Sequence, residues 1–169
     1  MVRMLTERLE ITELSVYNTS FIIALLNSSG WLQYIGDRDV HTIDDAVEYL
    51  VQGPLKSYKE KGYGLWLVKL RATNEPIGMC GLLKRDYLSH LDIGFALLPR
   101  YEGKGYAREA SLAVLNYAAR ELGQHTIAAI VMPGNEASLQ LLHRLGFTDK
   151  GTITVPDTGE ELLLLEVGV

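Results

Sequence analysis

The sequence predicts an α/β fold in a single domain over residues 1–169, built on a mixed sheet with helices on both faces. Its length suits one domain with a sizeable core. Strand-like and helix-like segments follow each other in the order β-α-α-β-β-β-α-β-α-β-β, which indicates a layered architecture. Residues 125–131 are continuously apolar, which favours a strand buried on both faces in a parallel pair.

In the first half of the chain, elements are predicted from alternation, capping and breaker residues. Thr42, with Asp45 three residues later, forms a short version of the capping box at the start of a helix. Gly53-Pro54 is expected to interrupt that helix, with a further helical piece continuing to Glu60. Residues 31–40 show no regular pattern and are expected to be irregular. The predicted elements are a strand at 6–12, helices at 14–26 and from residue 42, and strands at 65–71 and 77–84.

The second half alternates strands with helices and ends in a hairpin. Gly123 is expected to close the first of these helices. Asn135 is a predicted N-cap and Gly146 a predicted C′ glycine, bracketing a helix of about ten residues. The predicted elements are a strand at 87–98, a helix ending before residue 123, a strand at 125–131, a helix between 135 and 146, and a hairpin at 147–155 and 160–167.

The segment after the strand at 87–98 has the character of an anion site. Pro99 ends the strand, and Gly103 and Gly105 allow a tight turn into the next helix. The first amides of a helix have no partner within it, and its dipole favours an anion there. Three cations lie close to this helix end, where positive charge is normally unfavourable: Arg100, Lys104 and Arg108. They indicate a bound anion, or else they are ordinary solvated side chains.

Two motifs carry a resemblance to a known family. Arg100-x-x-Gly103-x-Gly105, between a strand and a long helix, resembles the acetyl-CoA pyrophosphate loop of GCN5-related N-acetyltransferases (GNAT). Asn135-Glu136-Ala137-Ser138-Leu139, followed by Leu145-Gly146-Phe147, resembles the family's second motif, in the same order and spacing. The resemblance extends over most of the chain. It is closest to the branch of ribosomal-protein-alanine N-acetyltransferases, which acetylate ribosomal-protein N-termini.

The resemblance implies an acyl-CoA N-acyltransferase fold with a mostly antiparallel sheet. The strands at 91–98 and 125–131 are implied to form a parallel pair that splays apart and holds acetyl-CoA. The backbone of Phe95, Ala96 and Leu97 is implied to bind the pantetheine and thioester, with the Leu97 amide at the thioester carbonyl. Asn135 is implied to touch the pantetheine arm, although it is equally an ordinary N-cap. The pyrophosphate loop is implied to comprise Arg100, Glu102, Gly103, Lys104, Gly105, Tyr106 and Ala107.

The implied reaction is direct attack of a neutral primary amine on the thioester in a ternary complex, with a protein N-terminal α-amine as one candidate acceptor. Asp92 is the candidate base; alternatively it is a strand residue that pairs with a cation. Ser138 is the candidate acid, or else a residue of the helix start. Leu142 stands where many family members carry a Tyr, and His143 beside it is interpreted as a surface residue.

Composition and charge exclude several functions. A net charge of −5, from 16 basic and 21 acidic residues, argues against nucleic-acid binding by bulk charge. Cys80 is the single cysteine and is interpreted as a small buried core residue. With no second cysteine the chain cannot form an internal disulfide, which fits a reducing compartment, and the cytoplasm is the expected location. No apolar run is long enough to span a membrane. The histidines show no metal-ligand spacing. Four aromatic residues are candidate acceptor-pocket walls or plain core: Trp31, Tyr34, Tyr63 and Trp66.

Two rival functions are weighed against acetyl transfer. A dinucleotide-binding oxidoreductase is disfavoured, because Arg108 stands where a third glycine would fall and no acidic residue follows the strand ending at Val131. A non-catalytic acyl-CoA sensor on the same fold remains open because of Leu142. The sequence also leaves open the acceptor and the choice between monomer and homodimer.

Overall fold

The computed structural model describes all residues from Met1 to Val169. Its strands are β1 (Arg3–Leu5), β2 (Leu9–Thr12), β3 (Leu65–Leu70), β4 (Pro76–Leu83), β5 (Asp92–Leu97), β6 (Thr126–Val131), β7 (Thr148–Thr154) and β8 (Glu161–Gly168). Its helices are α1 (Thr19–Leu26), α2 (Ser29–Tyr34), α3 (Ile43–Leu50), α4 (Lys56–Lys61), α5 (Tyr106–Arg120) and α6 (Glu136–Arg144). None of the helices is long and apolar enough to cross a membrane.

The eight strands form one mixed sheet in the order β1-β2-β3-β4-β5-β6-β8-β7. The β5/β6 pair is parallel and every other pair is antiparallel. The prediction of a mostly antiparallel sheet with one parallel pair is therefore confirmed. Strand β8 lies between β6 and β7, and it pairs with the whole length of β6, from Thr126 to Val131. Strand β6 is thus anchored on the side away from β5.

Helices cover both faces of the sheet, as predicted, and each face has its own core. One core packs α5 and α6 on the sheet and includes Val114, Leu142 and Phe147. The other packs α1, α2 and α3 on the opposite face and includes Trp31 and Leu50. Because successive side chains of a strand point to opposite faces, alternate residues of β5 belong to the two layers.

The structure differs from the predicted elements in the N-terminal half. Instead of one strand at 6–12, β1 and β2 form a hairpin that turns at residues 6–8. Part of the irregular stretch forms α2. Gly53-Pro54 does not break the helix, because Val51–Leu55 forms a π-helical segment that joins α3 to α4. The wider spacing of a π-turn accommodates Pro54, which has no amide to donate. The Thr42–Asp45 capping box is present as predicted.

Candidate active site

Strands β5 and β6 form a fork. They share a single paired position, Asp92 with Ala128, where the Ala128 amide donates to the Leu91 carbonyl at 2.8 Å. Beyond it β5 stays paired with β4 as far as Leu97, but it has no further partner in β6. The two strands therefore diverge toward their C-terminal ends, as the predicted splayed pair requires.

The open edge of β5 carries unpaired backbone groups. The Leu98 amide donates to the Ile77 carbonyl at 2.8 Å, so this position faces β4. Because neighbouring residues direct their backbone groups to opposite edges, the amides of Phe95 and Leu97 face the fork, and that of Ala96 faces β4. Two of the three residues predicted to bind pantetheine are thus available. The prediction for Ala96 is wrong as far as its backbone is concerned, because that backbone is engaged in the sheet.

The loop from β5 to α5 exposes a run of free amides. After a 3₁₀ turn at Pro99–Tyr101, Gly103 and Gly105 have φ of +74° and +83°, and Gly105 is the N-cap of α5. Such a φ suits glycine because it has no Cβ. No amide from Gly103 to Arg108 donates to a backbone carbonyl, and no side chain caps the helix. These exposed donors at a helix N-terminus are suited to bind an anion.

The cations near this loop are not equivalent. The Arg100 guanidinium donates to Glu75 Oε1 at 2.9 Å and lies over the Tyr101 ring, so it is turned toward the β3–β4 connection. Lys104 and Arg108 pair with no carboxylate. The lysine and arginine residues that do form ion pairs are Arg3, Arg8, Lys69, Arg85 and Arg100. Two unpaired cations at a helix N-terminus oppose its dipole unless an anion binds.

Arg8, which the sequence analysis did not identify, contacts this loop from the β1–β2 turn. Its Nη1 donates to the Lys104 carbonyl at 3.0 Å, and its Nε donates to Glu109 Oε1 at 2.8 Å. Its guanidinium lies 4.4 Å from the centroid of the Tyr106 ring. Glu109 also accepts from the Thr6 hydroxyl and the Arg8 amide. The only signal of this contact in the sequence is that Arg8 and Glu109 have opposite charges, which many other pairs of residues share.

Asp92 lies at the closed end of the fork and is 1% exposed. The Arg85 Nε donates to both of its carboxylate oxygens at 3.2 Å. Burial raises the pKa of Asp92 to about 6, although Arg85 acts in the opposite direction. By strand alternation its side chain points, like that of Ala96, toward the layer of α1, α2 and α3. Pairing with a cation, the alternative left open by the sequence, is thus present.

Helix α6 begins at the open end of the fork, because it follows the C-terminal end of β6. The Asn135 side chain accepts from the Ser138 amide at 3.4 Å, which confirms the predicted N-cap. The half-buried Ser138 hydroxyl has no protein partner. Helix α5 begins at the same end, because β5 and β6 run parallel. The two motifs identified in the sequence therefore meet at the mouth of the fork.

Several other candidate residues lie away from the fork. Leu142 is buried in the core under α6, and His143 on the surface contacts Asp149 at 3.0 Å. Cys80 is fully buried, which raises the pKa of its thiol to about 12, so it is not a nucleophile.

Two of the four aromatic candidates, Trp66 and Trp31, lie in the separate cores of the two faces of the sheet. Trp66 packs in the core under α5, edge-on to Tyr117 at 5.3 Å between ring centroids. Trp31 packs on the opposite face of the sheet. Of the two alternatives that the sequence left open for these side chains, plain core therefore holds for both Trp66 and Trp31.

Comparison with known proteins agrees with this geometry. Residues 8–148 match the acetyltransferase (GNAT) domain family. The chain is 29% identical to the uncharacterized N-acetyltransferase YoaA of Bacillus subtilis over 150 residues, 88% of this chain and 84% of YoaA. It is 36% identical to the uncharacterized protein YkkB of the same organism over 98 residues, which cover 56% of this chain and 57% of YkkB.

Solved structures share the fold. The ribosomal L7/L12 α-N-protein acetyltransferase RimL, in complex with coenzyme A, superposes with a TM-score of 0.82 at 18% identity, covering 98% of this chain and 97% of RimL. The family match spans most of the chain, and the fork and glycine loop lie within it. The chain belongs to the acetyltransferase (GNAT) domain family.

Proposed function

We propose that this protein transfers the acetyl group of acetyl-CoA to the primary amine of an acceptor. The observation that carries the proposal is the fork. One edge of β5 offers free backbone groups, and the N-terminus of α5 offers free amides at the same open end. An extended amide-containing chain fits the first, and a diphosphate fits the second.

We assign the parts of acetyl-CoA to the free amides as follows. The amides from Gly103 to Ala107 would hold the diphosphate, with Lys104 adding positive charge. The Glu102 amide, also expected there, instead donates to the Pro99 carbonyl at 3.2 Å. The Leu97 backbone would pair with the pantetheine arm, and Asn135 lies near it on α6. Phe95 is the first residue past the paired end of the fork whose amide faces the opening, so it is the better donor for the thioester carbonyl. This replaces the assignment of that role to Leu97.

The position of Asp92 limits its role. It lies three residues from Phe95, about 10 Å along the strand at about 3.3 Å per residue. Its carboxylate is buried against Arg85. Asp92 would therefore act through a water molecule or by maintaining the closed end of the fork. Ser138, with a free hydroxyl at the mouth of the fork, is the candidate proton donor to the leaving thiolate.

Because the candidate base Asp92 is buried against Arg85 and lies three residues from Phe95, we favour an acceptor that needs little deprotonation. An α-amine has a pKa near 8, so roughly a quarter is neutral at pH 7.5, compared with about 0.1% of a lysine amine. RimL is named for acetylation of a protein α-amine. We therefore propose a peptide or protein N-terminus as the acceptor.

The test is a thiol-release assay with acetyl-CoA and matched peptides. One peptide has a free α-amine, a second has the α-amine blocked and one lysine, and small amines complete the panel. We expect thiol release with the free α-amine. Calorimetry with CoA is run in parallel. Failure to bind CoA contradicts the proposal, and binding without thiol release on any amine indicates the non-catalytic sensor instead.

A further inference from the structure

The bond from Arg8 to the Lys104 carbonyl fixes the peptide unit between Lys104 and Gly105. The chain contains no cis peptide bond. In a trans peptide the N–H points opposite to the C=O. Because the Lys104 carbonyl is turned toward Arg8, the Gly105 amide points away from Arg8, and it donates to no backbone acceptor. The same hydrogen bond turns the Lys104 carbonyl oxygen away from the free amides. Pointing among those amides, that oxygen would repel an anion.

Arg8 and Glu109 also balance each other's charge. Glu109 lies in the first turn of α5, where its carboxylate alone would repel a nearby diphosphate. Burial by itself would raise the pKa of Glu109, but hydrogen bonds from Thr6 and Arg8 outweigh it and lower the pKa. The carboxylate therefore stays ionised and holds the guanidinium in place. The pair adds little net charge to the loop.

We propose that Arg8 is a positioning residue for diphosphate binding. Held by Glu109, it orients the Lys104–Gly105 peptide so that the amides at the start of α5 are directed to the anion before it arrives. The inference rests on the proposed function. A Cβ at Gly105 would stand 3.3 Å from Arg8 Nη2, so the two residues are also closely packed. Preorganisation of this kind raises affinity by reducing the cost of ordering the loop.

The first test replaces Arg8 with Met and measures the Kd of two ligands by calorimetry. CoA carries the diphosphate, and pantetheine lacks it. We expect Arg8→Met to weaken CoA binding by about tenfold or more, the equivalent of one charge-assisted hydrogen bond. Pantetheine binding is expected to stay unchanged. The matched control is Arg120→Met, which removes the same charge at the far end of α5 and is expected to bind CoA as the wild type does.

The second test asks whether Glu109→Gln tightens or weakens CoA binding. If charge alone mattered, removing a carboxylate near the diphosphate would tighten CoA binding. If Arg8 positions the loop, the same substitution frees the guanidinium and weakens CoA binding. We expect weaker binding, and tighter binding would overturn the inference.

The remaining outcomes are also decisive. Unchanged CoA affinity in Arg8→Met, or an equal loss for pantetheine and CoA, overturns the inference. If Arg8→Met does not fold by circular dichroism, Arg8→Lys replaces it; its single ammonium cannot bridge the carbonyl and the carboxylate in the same geometry, so weaker CoA binding is again expected. Loss of CoA binding in the wild type contradicts the proposed function itself, whereas normal wild-type binding with unchanged variants contradicts this inference alone.

Discussion

Gly103→Glu tests the diphosphate site most directly. Gly103 is exposed, and no heavy atom lies within 4 Å of a Cβ built there, so a side chain is accommodated sterically. Its φ of +74° costs a non-glycine residue roughly 1–2 kcal/mol. That is small beside the typical stability of a domain, about 5–15 kcal/mol. We therefore expect the variant to fold with a modestly lower melting temperature.

The new carboxylate should repel the diphosphate. Two unit charges about 4 Å apart interact by about 1 kcal/mol in bulk water and about 4 kcal/mol at an effective dielectric constant of 20. Because Gly103 is exposed, the lower figure applies to each diphosphate charge. Two charges give about 2 kcal/mol, which corresponds to a roughly 30-fold weaker Kd.

The assay is calorimetric titration with CoA, accompanied by thermal denaturation. Gly103→Gln is the matched control, because it has the size and backbone strain of Glu without the charge. Gly159→Glu is a second control: it has φ of +71° and open space around its Cβ, and it lies in the β7–β8 turn. We expect Gly103→Gln to bind CoA roughly 30-fold more tightly than Gly103→Glu, because the two variants differ only in that charge, and Gly159→Glu to bind CoA as the wild type does.

Two results would refute the reasoning. If Gly103→Glu binds CoA as tightly as the wild type, the amides after Gly103 do not hold the diphosphate. If Gly103→Gln and Gly103→Glu lose affinity equally, the loss comes from the backbone and not from charge.

Three further predictions concern the fork. Asp92→Asn should flatten the pH dependence of the free energy of unfolding. In the wild type the pKa of Asp92 is about 6 in the folded protein, above the ordinary 3.8. Protonation of Asp92 therefore stabilises the wild type by up to about 3 kcal/mol below pH 3.8, and this contribution is lost as the pH rises to about 6. Urea unfolding at several pH values measures it, and equal slopes in both proteins would refute it. Ser138→Ala should lower kcat at least tenfold with an unchanged melting temperature, because the hydroxyl has no protein partner; unchanged kcat removes Ser138 from the mechanism. Asn135→Ala should cost about 1 kcal/mol of stability through the lost cap, measured by urea unfolding, and weaken CoA binding; a loss of stability alone leaves Asn135 as an ordinary N-cap.

Much of the site was predictable because its signals are local. The turn glycines at 103 and 105 and the caps Thr42 and Asn135 act through neighbouring backbone groups, and all four have the predicted geometry. The parallel pair was predictable because a helix separates its strands in sequence. At Gly53-Pro54 the regular helix gives way to a π-helical turn, which relieves the clash that a proline causes in a regular helix, and α4 follows as the further helical piece that was expected.

The amino-acid sequence by itself determined where the chain turns, where its helices begin, and which loop has free amides, since these depend on residues a few positions apart. Only the tertiary structure decided that β5 and β6 separate after a single paired position, while β6 stays paired with β8 on its other edge. It also decided that Arg8 reaches Lys104 and Glu109 from the other end of the chain, and that Asp92 is buried against Arg85. Such contacts arise from packing between distant segments, and no local pattern encodes them.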